Sequence, residues 1–375
     1  MIREFQDVGA MLAALKPDEP VFAMRPRVMR RAAQFFASQF IGDIAYAVRA
    51  NPRPECLAAL YEGGIRHFAV AGLAELRAVK DVLPDASCLF THPAVSAAAI
   101  REAAQIHGVA HFTIDSREEL GKVIAHSAPR RPTVIVRVAV PRNVPAHDAL
   151  DKFGCSPAEA AGLLRAAASQ GLGIGLGFNI ESQVFDKALG FRALECIALA
   201  ARAAGLQPEL IDAGGFPAAD SLPDYCRAIW NGVMEAGFHH PVRLLGTPGR
   251  ALAADSASLI VRVDLRRGKR LYLNDGLHGG LGEFARAGFR PPLRVWRLAG
   301  EARLLGLPRG DFSFFGPSLD EADRLPGPYA LPADIAAGDY IEIGGMGAAG
   351  MSLRSDFAGF LSVASVIVND PPFSP

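Results

Sequence analysis

Eight short apolar runs, separated by amphipathic alanine-rich stretches, limit the folds open to this chain more than any other feature of its 375 residues. The runs read as strands at 44–48 (IAYAV), 67–71 (HFAVA), 88–91 (CLFT), 110–114 (AHFTI), 133–140 (TVIVRVAV), 174–180 (IGLGFNI), 209–214 (ELIDAG) and 242–246 (VRLLG). Between them, stretches such as PECLAALYEGG, VSAAAIREAAQIHG and RALECIALAARAAG carry helical spacing, and several stop at glycine, a common helix terminator. Strand–helix alternation sets the strands parallel, because a parallel partner is reached through a covering crossover. Eight such strands close into a (β/α)8 TIM barrel. An open doubly wound sheet is the alternative, and the lack of GxGxxG after the first strand weighs against its dinucleotide-binding form.

The length exceeds one compact core, so a second domain is expected. After Ser256 the texture changes: SLIVRVDLRRGKRLYLNDG reads as two strands joined by a turn at Arg267 and Gly268. PLRVWRLAG, FSFFGP, DYIEIGG and FLSVASVIVND continue in the same style, and PVFAM near the N-terminus fits a further strand of that domain. The expected organisation is therefore an N-terminal segment 1–25 contributing to a β-domain, an α/β barrel over 26–255, and a C-terminal β-domain over 256–375.

Lys+Arg and Asp+Glu both total 39, which favours neither nucleic acid nor a membrane surface as partner. Five scattered cysteines without a CxxC pair read as reduced thiols, and no third ligand at metal spacing joins His239 and His240. MIREFQDVGA has no apolar signal core, and no uncharged run is long enough to span a bilayer; the expectation is a cytoplasmic protein.

YAVRANP at 46–52 resembles the YAVKAN signature of the ornithine, diaminopimelate and arginine decarboxylases, which are fold-type III enzymes dependent on pyridoxal phosphate (PLP). Further segments match in the same order: DKFGC resembles KFG, GFNIES resembles FHVGS, IDAGGFP resembles GGGFP and TPGR resembles EPGR. NDGLHGG then resembles NDGVYGS, FGPSLD resembles WGPTCD, and GGMGAAG resembles NMGAYT. The resemblance implies an alanine-racemase-like barrel followed by a β-domain, a homodimer, and amino-acid or polyamine metabolism, and its fold coincides with the one read from periodicity.

Carried over residue by residue, the resemblance puts Arg49 at the position of the PLP lysine. A guanidinium keeps its proton and does not form a stable Schiff base, whereas a desolvated lysine does. The six lysines are Lys16, Lys80, Lys122, Lys152, Lys187 and Lys269, and none stands at a matching position. Thr247 replaces the glutamate that holds the ring nitrogen, Asn179 the stacking histidine, Leu319 the cysteine, and Ala349 the tyrosine of NMGAYT. Glu181 and His278 depart from the pattern as well. Gly214, Gly215, Ser182 and Arg250 match phosphate-binding positions, Arg137 also matches, and Asp320 matches a substrate-contacting aspartate.

Each surviving position also has a structural reading. Gly214 and Gly215 suit a tight turn, Asn274 and Asp275 an ordinary turn, and His92 and His278 satisfied structural roles. Arg49 is open to three: a relic filling the barrel, a bidentate anion ligand, or a substitution in an active enzyme. Three functions compete accordingly. The first is a degenerate or repurposed homologue, a pseudoenzyme that binds a small anionic or amino-acid ligand at the barrel mouth and is able to pair with an active paralogue. The others are an active amino-acid decarboxylase on an ornithine-like substrate, and a scaffold protein.

Overall fold

A computed structural model of the chain describes residues 2–140, 152–179, 187–217, 221–238, 242–282, 290–355, 357 and 363–373. The chain divides into two compact units: Ala32–Leu252, and Met1–Arg31 together with Ala253–Pro375.

The first unit is a closed barrel of eight parallel strands. Its strands are Asp43–Ala47, His67–Val70, Ser87–Phe90, His111–Ile114, Thr133–Arg137, Gly173–Gly177, Leu210–Asp212 and Arg243–Gly246. Arg243–Gly246 pairs back onto Asp43–Ala47, with Gly246 opposite Ile44, so the open-sheet alternative is excluded. The strands Thr133–Arg137 and Gly173–Gly177 each end three residues before their apolar runs do. Beyond Arg137 the ladder gives way to a lone bridge from Val138 to Cys155, and beyond Gly177 the chain turns away at Phe178.

Successive strand residues face opposite sides. Tyr46, Phe68, Phe90 and Phe112 occupy the face that barrel helices cover, and all four are buried. Each contributes roughly 1.5–3 kcal/mol by leaving water. The inward residues Ala45, Ala69, Leu89, Ile135, Leu210 and Leu245 form one apolar cluster inside the barrel. That layer plugs the lumen below its C-terminal end.

The second unit is a ten-stranded sheet of mixed direction. Val21–Met24 pairs antiparallel with Ala257–Arg267 on one side and parallel with Ala364–Val368 on the other. Its hairpin turns at Gly268 and Lys269 rather than at Arg267 and Gly268. Gly268 adopts φ 59°, while Arg267 stays in register with Arg270.

One polar network runs through this unit. Arg25 is 1 % exposed and Glu342 0 % exposed, unusual burial for ionisable side chains. Arg25 donates to Glu342 Oε1 at 3.2 Å, to Ser258 Oγ at 2.8 Å and to Asp370 Oδ1 at 3.1 Å. The other Glu342 oxygen accepts from Arg294 Nε at 2.6 Å and Trp296 Nε1 at 2.8 Å. A buried pair of this kind tolerates desolvation only because its hydrogen-bonding capacity is met. Removing the Glu342 carboxylate leaves Arg25 with Ser258 and Asp370 and takes a buried acceptor from Arg25, Arg294 and Trp296 together. Glu342→Ala is therefore expected to lower unfolding free energy by about 3–5 kcal/mol in urea denaturation; a loss below about 1 kcal/mol would contradict the role assigned to the network.

A polar cavity at the C-terminal end of the barrel

The two-residue alternation that fills the lumen also builds its open end. Towards that end the inward positions Ala47, Thr91, Thr113, Arg137, Gly177 and Asp212, together with Ala69 and Ile135 of the apolar layer, line a cavity. One further step adds Arg49, Asn179 and Gly214, with Thr247 above Leu245. Polar side chains thus replace aliphatic ones where the strands end, the side of a (β/α)8 barrel on which sites gather.

Arg49 sits in a short 3-10 turn, Val48–Ala50, directly after its strand. The turn is pinned by Tyr46, whose hydroxyl donates to Asn51 O at 3.2 Å, and by Asn51 Oδ1, which accepts from Arg53 N at 3.2 Å. Ala47 N donates to Pro248 O at 2.9 Å, tying this turn to the TPGR segment.

Asp212 ends its strand 8 % exposed, within the same cavity. Its Oδ1 accepts from Gly214 N at 2.9 Å and from Thr247 Oγ1 at 3.3 Å. Burial pushes its pKa up to about 6; those two bonds and the charges of Arg137 and Arg49 oppose the rise. Glu75 also feels the Arg49 charge. Burial raises its pKa, while a 2.8 Å bond from Ala71 N and the Arg49 charge act the other way. Gly214 adopts φ 71°, and a Cβ there would lie 2.6 Å from Phe178 O, so close backbone approach alone demands glycine. Its N–H is committed to Asp212.

Of the residues singled out from sequence, Arg49, Arg137, Asn179, Gly214 and Thr247 meet in the cavity. Gly215 lies half-buried in the loop after Asp212, and Arg250 opens the short helix Arg250–Ala253, half-buried and outside the cavity lining. Ser182 and Glu181, like His239 and His240, lie outside the described residues.

Asp320, Leu319 and Ala349 belong to the other unit. There, Asp320 pairs with His278 Nε2 at 3.1 Å. A bond from Ala322 N, then the histidine, holds the Asp320 carboxyl below its usual range. Leu319 beside it is fully exposed, and Ala349 opens the 3-10 turn Ala349–Met351. Asp275 is more than a turn residue: it is buried, accepts from Leu281 N at 3.2 Å and pairs with Arg354 at 3.2 Å. His92 accepts from Ala94 N at 3.0 Å and packs edge-on to Phe153, a structural role.

Sequence reasoning passed over Asp212, Thr113 and Glu75. The first two were legible, since counting by twos from Leu210 and from His111 places both inward; Glu75 carried no comparable signal.

Whether the cavity suits PLP as a covalent adduct depends on an amine. Among the described residues, no lysine lines it. Lys80 is committed to Pro84 O and Ala86 O, and Lys122 to Val95 O and Glu119. Lys152 stands 5.0 Å from the centre of the Phe153 ring, the ring against which Arg137 also rests at 5.6 Å. The lining supplies guanidinium, carboxylate and hydroxyl groups, which fit a reversibly held polar ligand and do not fit an aldehyde bound as a Schiff base.

An aspartate whose pKa rises on folding binds its proton more tightly in the native state, so the native state loses stability as pH climbs from the unfolded value of 3.8 through about 6. Asp212→Asn keeps an acceptor for Gly214 N and Thr247 Oγ1 without that charge. Its stability relative to wild type is expected to improve between pH 4 and pH 7, by at most ~3 kcal/mol, in thermal or urea unfolding followed across pH. A difference that stays flat across that range would contradict the assignment.

The model of the family described as pyridoxal-dependent decarboxylase, pyridoxal binding domain, matches residues 26–254. The lysine/ornithine decarboxylase of Selenomonas ruminantium is 28% identical, over 96% of this chain and 90% of its own. The ornithine decarboxylase of Saccharomyces cerevisiae is 25% identical, over 87% and 75%. Among solved structures, the arginine decarboxylase of Paramecium bursaria Chlorella virus bound to agmatine superposes with a TM-score of 0.82 at 21% identity, covering 95% of this chain and 98% of that one. At that identity the likeness speaks for the fold. With the family match spanning the strands that build the cavity, the chain belongs to the pyridoxal-dependent decarboxylase family.

Proposed function

We propose that this chain is a repurposed member of that family, which holds a small anionic or amino-acid ligand at the barrel mouth without a Schiff base to the coenzyme. The observation that carries the reading is Arg49, a permanently protonated group in the cavity at the position where the family places its reactive amine. Thr247 in place of a glutamate, and Asn179 in place of a stacking ring, support it further: the first removes an ion pair from the ring nitrogen, the second an aromatic face. Asp212 remains as the buried carboxylate of the site.

The names of the relatives favour a second reading, a PLP-dependent amino-acid decarboxylase acting on an ornithine-like substrate. The resemblance also supports a homodimer, and the full exposure of Leu319 on its loop is consistent with a surface that a second copy covers.

One experiment separates the readings. Purified protein is mixed with pyridoxal phosphate, scanned for Schiff-base absorbance, reduced with borohydride and analysed by mass spectrometry. The wild-type chain is expected to give no lysine adduct and no carbon dioxide from ornithine, lysine, arginine or diaminopimelate. Arg49→Lys, which puts a primary amine in the same cavity, is expected to gain an adduct at position 49. A phosphopyridoxyl-lysine in the wild-type protein would overturn the proposal in favour of the enzyme.

A further inference from the structure

The barrel helices Lys187–Ala204 and Leu222–Glu235 border a groove of about 290 Å³, which shares no residue with the lining of the polar cavity. Leu194, Ala198, Gly232 and Ala236 line it, and the three small residues carry too little side chain to fill it. A shallower depression at Gly190 and Tyr225 continues it and shares Phe191 and Leu194.

Beside the groove, Phe191, Glu195, Leu199 and Arg202 are exposed at helical spacing and form one ridge along Lys187–Ala204. Phe191 is 40 % and Leu199 52 % exposed, so this ridge leaves two large apolar side chains partly in water. Glu195 and Arg202 make no hydrogen bond or ion pair among the described residues. Seven positions separate them, about 10 Å along the helix axis, so they do not meet within one copy.

The order of these side chains selects the partner. Glu195 stands three residues before Ala198, and Arg202 three residues after Leu199. A two-fold axis crossing the helix between Ala198 and Leu199 lays a second copy of the helix antiparallel on the first. It sets Glu195 opposite the partner's Arg202, and Arg202 opposite the partner's Glu195, about 5 Å to either side of the axis. At the axis, Leu199 covers the partner's Ala198, one of the small residues that line the groove. A two-fold interface uses the same patch twice, so it needs a patch complementary to itself, and this sequence supplies one. A partner of uniform charge would satisfy one of the two groups and oppose the other.

We propose that this face of the barrel unit is an interface between two copies of the chain, with the helices Lys187–Ala204 packed antiparallel about that axis. It is distinct from the homodimer that family resemblance supports, since Leu319 belongs to the other unit, and it holds whichever ligand the cavity takes.

Sedimentation equilibrium of the full chain over a concentration series tests it. Glu195→Arg and Arg202→Glu each turn both reciprocal pairs into like-charge pairs, and each is expected to weaken association about tenfold or more. Combined in one chain, the two reversals exchange the charges and recreate both pairs, so the double variant is expected to regain wild-type association. Leu199→Glu, which sets two carboxylates at the axis, is expected to weaken association by a similar factor and decides the matter should a charge reversal fail to fold, as judged by circular dichroism. An average mass that the single changes leave unaltered, whether that of one copy or of a dimer held by another surface, overturns the inference. So does a double reversal that fails to restore what the single reversals lose.

Discussion

Closure of the barrel is the constraint from which the site follows. Once Arg243–Gly246 hydrogen-bonds to Asp43–Ala47, every second residue of every strand is committed to a lumen with no other exit. The same alternation then fixes two things at once. It packs Leu89, Ile135, Leu210 and Leu245 into a plug, and it delivers Arg137, Asp212 and Arg49 to the rim above. A one-residue slip in any strand would exchange the plug for the aromatic outer layer, so register is strongly specified.

The electrostatics of the rim depend on how few waters reach it. Asp212 is desolvated, which resists ionisation, and it is compensated by a backbone amide, a threonine hydroxyl and the fields of two arginines. That balance differs from a surface ion pair, where solvent would dominate. It also explains the local backbone: Gly214 turns its amide onto the carboxylate by adopting a left-handed conformation that any side chain would obstruct.

Much of this was legible in the amino acids. The eight runs, their parallel order and the β-rich second half follow from periodicity, because apolar alternation and glycine stops act locally. Arg49, Arg137, Asn179, Gly214 and Thr247 were recognisable from motif resemblance, and they do converge. Other features were not. Arg250 matches a phosphate-binding position of the family by resemblance, and the structure places it at the head of the helix Arg250–Ala253 rather than among the residues that line the cavity. Gly214 was open to a phosphate-binding or a tight-turn reading; its φ of 71° fits the turn, and what the sequence did not show is that its amide serves a carboxylate two residues earlier. The Arg25–Glu342–Asp370 cage joins residues more than three hundred positions apart, and a charged arginine after VFAM gave no sign of being buried. Long-range partners of charged groups leave no local trace in a single sequence.

The sheet of the second unit is laced from segments that precede and follow the barrel: Val21–Met24 lies between a strand at 257–267 and the strand Ala364–Val368. During synthesis the barrel strands emerge complete, while this sheet waits for Ala364–Val368 to follow them. Until Asp370 arrives, Arg25 has no route to its caged state, so the order of translation imposes an order of assembly. The barrel is in effect an insertion within the β-unit, able to mature while the surrounding unit is still unfinished.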